Sequence, residues 1–135
     1  MKHIVVVGAG QAGFSVVSKL RNLKFDGSIT LIGNEPVPPY QRPPLSKKYL
    51  LGEMDVERLY LRPLSFYNDH EINLKLGEDV TAVDSVQKTI TVGKEIINYD
   101  ELIFTTGSTP NYLPTQIGGN LAGVYVVRNL SDVDS

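Results

Sequence analysis

The chain has 135 residues, enough for one domain with a real core, and its 41% apolar and 21% charged content excludes a disordered chain. Thirteen basic against fifteen acidic side chains leave a net charge of −2, which argues against a surface built to track along nucleic acid. The absence of cysteine excludes disulfides, thiolate metal sites and cysteine catalysis within the segment, and fits a reducing compartment.

The opening residues 1–7 resemble the start of a secretion signal. Gly8 ends the apolar run too soon for a signal core, and no later stretch is long enough to span a membrane, so a cytoplasmic protein is expected. Residues 3–7, short, apolar and closed by glycine, read as a buried parallel strand. Ala12, Val16, Leu20 and Leu23 recur at three- and four-residue spacing, which predicts a helix over 12–23. Asp26-Gly27 is a turn, and β-branched residues mark a second strand over 28–33.

Five of the eight prolines then fall between positions 34 and 45, a rigid irregular loop. Short helical pieces are expected over 47–51 and after Pro63, since proline suits a first helical turn. Residues 71–75 read as a strand. The runs 80–83 and 89–92 flank Asp84-Ser85 as a meander or hairpin. Residues 102–105 are another buried strand, and a Gly- and Pro-rich connection leads to a last strand over 124–127. No internal repeat, low-complexity tract or clear domain boundary is visible, so 1–135 reads as a single domain.

Gly8, Gly10 and Gly13 form G-x-G-x-x-G directly after a strand and at the opening of a helix. In that context the first glycine permits the tight turn, the second lets a pyrophosphate approach the backbone, and the third allows helix and sheet to pack closely. The helix amino terminus supplies N–H groups and a positive dipole end for phosphates. An acid at the end of the second strand completes such a site by binding ribose, and Glu35 lies 22 residues beyond Gly13. A tight structural turn is the plain alternative.

A pure nicotinamide domain would continue in alternating helices and strands. Here a proline loop, a meander and a strand ending in Thr105-Thr106-Gly107 follow instead. At PYQRPPLSK (39–47), where a flavin-dependent disulfide reductase would place its redox cysteines, the chain has a double proline and a lysine. That points away from thiol chemistry and toward a flavin serving an external acceptor.

The order of these elements resembles flavoprotein reductases of the glutathione-reductase type. In detail the chain resembles the amino-terminal part of bacterial FAD-dependent NAD(P)H ferredoxin reductases, the putidaredoxin-reductase-like family related to apoptosis-inducing factor. The motifs are GAGQAG at 8–13, PYQRPPLSK at 39–47, Leu-Tyr-Leu-Arg at 59–62, YDELIFTTGSTP at 99–110 and VVRNLSDVD at 126–134. The resemblance implies an α/β Rossmann-like FAD-binding domain with a parallel core sheet and a β-meander. It implies FAD as cofactor, hydride from NAD(P)H to flavin N5, and single electrons passed to a ferredoxin- or rubredoxin-type iron–sulfur protein.

Carried over by residue, it places Gly8, Gly10, Ala12 and Gly13 on the pyrophosphate, and Asn34 or its neighbour Glu35 on the ribose. It places Lys47 beside the isoalloxazine as the catalytic cation, Val80 on the adenine side, Thr106 and Gly107 at the phosphate–ribose region, and Arg128 at the flavin edge. The alanine usual before the Thr-Gly pair is Thr105 here. Arg42 either contacts phosphate or braces the proline loop. Arg42, Lys47, Lys48, Arg58 and Arg62 would form a docking patch, but Glu53, Asp55 and Glu57 interrupt them into a mixed solvated surface. His3 reads as a strand residue and His70 as a helix-end residue near carbonyls. The family's second glycine motif and later segments do not occur, so the chain is expected to be a truncated FAD-binding portion, not competent for turnover alone, with an oligomer through an exposed domain face. Two other functions stay open: another flavoenzyme of the superfamily without redox cysteines, and a non-enzymatic flavin- or nucleotide-binding module.

Overall fold

A computed structural model describes residues 1–135. In chain order the elements are β1 (His3–Val7), α1 (Gln11–Asn22), β2 (Ser28–Ile32), a 3-10 turn (Pro43–Ser46), α2 (Val56–Leu59), α3 (Leu64–Asp69), β3 (Ile72–Lys75), β4 (Val80–Asp84), β5 (Thr89–Val92), β6 (Glu95–Asn98), β7 (Glu101–Phe104), a second 3-10 turn (Thr115–Ile117) and α4 (Leu130–Asp134). They fall into two compact units, Met1–Tyr40 with Tyr60–Gly107, and Gln41–Leu59 with Ser108–Ser135.

The first unit is built on a four-stranded sheet in the order β3-β2-β1-β7, every neighbouring pair parallel. Successive strand side chains point to opposite faces, and the β-branched run of β1 fills both. Ile4 and Val6 join Val17, Ile29, Leu31, Tyr67 and Ile72 in one core, with Phe14, Val16 and Leu20 of α1 packed against it. Val5 points the other way and joins Ile32 to Ile90 and Val92 of the meander. The meander is the antiparallel sheet β4-β5-β6, with a register shift between Val80 and Ala82. A parallel strand buried on both faces has to be apolar throughout, which is why His3–Val7 shows no alternation. The expected α/β fold with parallel core and β-meander is the one observed.

His3 is a strand residue whose ring contacts the Asn98 carbonyl and the Thr30 hydroxyl, each at 2.8 Å. His70 caps α3, its Nδ1 2.9 Å from the Phe66 carbonyl. Tyr67 is fully buried and its hydroxyl has no hydrogen-bond partner. Burial pushes its pKa up to about 12, because the phenolate cannot be solvated there. The unfolded chain ionises near pH 10, so this residue's contribution to stability is whole below pH 10 and is lost as pH rises toward 12. Tyr67→Phe should therefore leave stability at pH 7 unchanged or higher by up to about 1 kcal/mol, since an unpaired buried hydroxyl is removed with little change of shape. It should also flatten the alkaline limb of the stability profile. Urea midpoints at pH 7 and pH 11 check both expectations, and a large loss at pH 7 would mean that the hydroxyl has a partner.

In the second unit Leu45, Leu59 and Leu130 are buried, and α4 packs against the 3-10 turn. Two sequence expectations are corrected here. Residues 47–51 form turns, not a helix; the helical piece comes earlier, at Pro43–Ser46, where the two prolines preset φ for a first turn. Residues 124–127 are not a strand. They are irregular and largely exposed, Tyr125 at 79%, because β-branched residues become a strand only where another strand pairs with them. The short helices α2 and α4 and the strand β6 were not anticipated. Two of these had readable signals: Asn129 and Asp132 make a capping box for α4, and Gly93 with φ 59° turns the chain into β6. No helix is long and apolar enough to cross a membrane.

Candidate nucleotide-binding site

The site starts where β1 ends. The Gly8 N–H donates to the Ile32 carbonyl at 2.8 Å, which ties the glycine turn to the end of β2. Gly8 has φ 115°, and a Cβ there would lie 2.0 Å from the Thr105 carbonyl oxygen. A Cβ on Gly13 would lie 2.0 Å from the Gly8 carbonyl. Both glycines therefore exist because backbone passes too close for any side chain, as the motif predicts.

Gly10 is different. It is the N-cap of α1 in extended conformation (φ −94°, ψ −162°), and a Cβ built on it meets nothing within 4 Å. Its missing side chain keeps open a space that the protein does not itself fill. Gly10 also provides no capping oxygen, and the first turn of α1 carries no acid. The helix thus presents its first-turn N–H groups and positive dipole end uncompensated, beside an open backbone edge. Ala12, in that turn, is exposed. These residues fit the pyrophosphate of a dinucleotide.

The end of β2 is drawn against this turn. Gly33 lies so close to Ala9 that a Cβ on it would be 2.5 Å from the Ala9 Cβ. Asn34 follows and is exposed. Glu35 is half-buried, and the Tyr40 hydroxyl donates to its Oε2 at 2.7 Å. The segment leading to Val80 runs alongside: the Gly77 N–H donates to the Glu35 carbonyl and the Glu78 N–H to the Gly33 carbonyl. Val80 itself packs against Val5, Ile32, Ile90 and Val92, so much of its side chain is taken up by the core. Thr106 and Gly107 follow β7, and the Thr106 nitrogen would be 2.9 Å from a Cβ on Gly8. The structure therefore gathers Gly8, Gly10, Ala12, Gly13, Asn34, Glu35, Val80, Thr106 and Gly107 into the first unit.

Arg42, Lys47 and Arg128 belong to the second unit. An Arg42 guanidinium N–H donates to the Arg128 carbonyl at 2.9 Å, so this arginine braces the proline segment. The Arg128 N–H is held by the Asp132 carboxylate at 2.8 Å. Lys47 directly follows the 3-10 turn pinned by buried Leu45. Its ammonium makes only long contacts, 3.4 Å to the Pro43 carbonyl and 3.5 Å to the Ser46 hydroxyl. The stem is placed by a rigid turn while the charge keeps capacity for another partner.

Thr105, at the position before the Thr-Gly pair, also takes part in the glycine turn. The Thr105 hydroxyl donates to the Gly8 carbonyl at 2.8 Å. No local pattern reveals this, because the partners are 97 residues apart.

A parallel sheet with a glycine turn at the tip of β1, a long helix opening from it and an acid after β2 defines a dinucleotide-binding α/β module. The pyridine nucleotide-disulphide oxidoreductase family matches residues 2–135, and the chain belongs to that family. It is 44% identical over 133 residues to the rhodocoxin reductase of Rhodococcus erythropolis, covering 98% of this chain and 31% of that protein. To a ferredoxin–NAD(P)+ reductase of Sphingomonas sp. it is 40% identical, covering 98% and 32%. Among solved structures, the reductase of a covalent putidaredoxin reductase–putidaredoxin complex superposes with a TM-score of 0.91 at 35% identity, over 98% of this chain and 33% of that one. The chain thus spans about a third of the length of the relatives it matches.

Proposed function

We propose that this chain forms the FAD-binding part of a cytoplasmic flavoprotein reductase. The whole enzyme would take hydride from NAD(P)H and pass electrons singly to a ferredoxin- or rubredoxin-type iron–sulfur protein. The observation that carries the reading is the open Gly10 edge at the uncapped N-terminus of α1, with Glu35 a short distance along from the end of β2. The relatives' activities, reduction of rhodocoxin and of ferredoxin, and the putidaredoxin seated on a similar reductase support it. The lack of any cysteine supports an external acceptor over thiol exchange.

In this reading the first-turn N–H groups of α1 and the Gly10 backbone hold the pyrophosphate, with Ala12 leaving room beside it. Glu35 takes the ribose hydroxyls in preference to Asn34, because its carboxylate is already oriented by Tyr40. Thr106, Gly107 and Val80 border the nucleotide, and Arg128 the flavin edge. Flavin, when bound, supplies hydride acceptance at N5 and one-electron release. Lys47 is the cation that would stabilise charge on the ring, and Arg42 holds the backbone of Arg128.

The test is the visible spectrum of the purified chain before and after adding FAD and desalting. Retained flavin bands are expected, with Glu35→Ala weakening FAD about tenfold through loss of a charged hydrogen-bond acceptor. In a protein of the relatives' full length, Lys47→Met should keep FAD while slowing reduction by NADH. Colourless protein in both the chain and the full-length form would sink the reading.

A further inference from the structure

A glycine at φ 115° can rotate its following peptide at little cost, so something else has to hold that peptide still. The Gly8 N–H is anchored on the Ile32 carbonyl at 2.8 Å. On the other side, the carbonyl of Gly8 receives the Thr105 hydroxyl at 2.8 Å. That hydroxyl has one proton and a second acceptor in reach, the Val7 carbonyl at 3.3 Å. The Val7 carbonyl is already engaged by the Thr105 backbone N–H at 2.8 Å, so the proton belongs to Gly8. A Cβ on Gly13 would lie 3.0 Å from this same hydroxyl oxygen. Turn, first helical turn and β7 thus meet at one side chain.

We propose that Thr105 is a positioning residue for the dinucleotide, acting through the Gly8–Ala9 peptide; this rests on the FAD reading of the same site. A trans peptide holds its C=O and the next N–H in opposite directions. With the Gly8 carbonyl drawn toward Thr105, the Ala9 N–H is turned the other way, away from β7. The hydroxyl thereby sets the first peptide of the turn that delivers Gly10 and the amides of α1 to phosphate. The cofactor contacts assigned from sequence fall on Thr106 and Gly107; the side chain that organises the turn is the one before them.

The test compares Thr105→Ala and Thr105→Ser with the unchanged chain, by amide hydrogen exchange without ligand and by FAD titration followed through flavin fluorescence. Thr105→Ala should speed exchange locally at the hydrogen-bonded amides of the turn, Gly8 on the Ile32 carbonyl and Phe14 on the Gly10 carbonyl, and weaken FAD about three- to tenfold, the span of one hydrogen bond. Thr105→Ser, which keeps the hydroxyl, should restore both to within about twofold. Equal FAD affinity in Thr105→Ala, or failure of Thr105→Ser to rescue, would overturn the proposal. If the unchanged chain takes up no FAD, the same titrations are made in a protein of the relatives' full length. The cofactor reading falls only if that form too stays free of FAD, and the exchange data then decide the Thr105–Gly8 staple by themselves. Unaltered exchange at the Gly8 and Phe14 amides in Thr105→Ala would overturn it.

Discussion

Gly10→Ala is expected to leave the protein folded while crippling dinucleotide binding, and Gly8→Ala and Gly13→Ala are expected to damage the fold itself. At Gly8 the new methyl would lie 2.0 Å from the Thr105 carbonyl oxygen and 2.4 Å from its carbon, in a backbone conformation that alanine avoids. At Gly13 it would lie 2.0 Å from the Gly8 carbonyl oxygen. These contacts are with backbone, which cannot rotate aside, so each change should cost more than about 3 kcal/mol. At Gly10 nothing lies within 4 Å, and the residue is extended with negative φ. The cost to stability there should stay below about 1 kcal/mol, the difference between glycine and alanine at an N-cap.

In the proposed reading, the methyl at Gly10 would instead stand where the phosphate approaches. Affinity for FAD should fall roughly ten- to a hundredfold, the scale of one overpacked methyl. Urea midpoints and FAD titrations of the three variants separate the cases. A Gly10→Ala protein that binds FAD normally would remove the nucleotide from this edge, and a stable Gly8→Ala protein would show that the turn can relax.

The second large effect should come from Arg21. Its guanidinium donates to four backbone carbonyls: Phe25 at 2.7 Å, Gly27 at 2.9 Å, His70 at 2.8 Å and Glu71 at 2.8 Å. One side chain near the end of α1 therefore holds the turn into β2 and the turn from α3 into β3. Glu71, with φ 53°, sits in the left-handed region at that second turn. Only a planar fork with five donors can serve four acceptors in this way. Arg21→Met keeps much of the stem and should cost about 2–3 kcal/mol, less than four full bonds because water can reach some of the freed carbonyls. That corresponds to a fall of roughly 10 °C in melting temperature for a chain of this size. Arg21→Lys should recover only part of it. A shift under about 3 °C for Arg21→Met would mean that the four contacts are replaced by solvent without loss.

Much of this is legible in the sequence. The β1–turn–α1–β2 unit could be read because a buried parallel strand, a glycine turn and an amphipathic helix are encoded by neighbours a few residues apart. The meander β4–β5 was legible for the same reason, and α3 followed from Pro63. Residues 124–127 misled because strand propensity speaks of a surface to pack on and says nothing of whether a partner strand is present. The spacing from the glycine motif singles out Glu35 as the acid after β2, while the family resemblance leaves Asn34 and Glu35 both open for the ribose. They differ in burial and in the Tyr40 hydroxyl, which reaches back five residues to only one of them.

The same division runs through the glycine motif. Its spacing, between a strand and a helix, already specified a turn able to meet phosphate, since that geometry is local to residues 8–13. Which glycine serves the fold and which serves the ligand depends on what the rest of the chain brings within a few ångströms. β7 and Thr105 arrive there from about a hundred residues away along the chain, through the parallel pairing of β1 with β7. At Gly13 the obstructing backbone is the Gly8 carbonyl of the motif itself, but only tertiary packing places the Thr105 backbone against Gly8 and leaves Gly10 open, because contact depends on distance in space, which sequence separation does not convey.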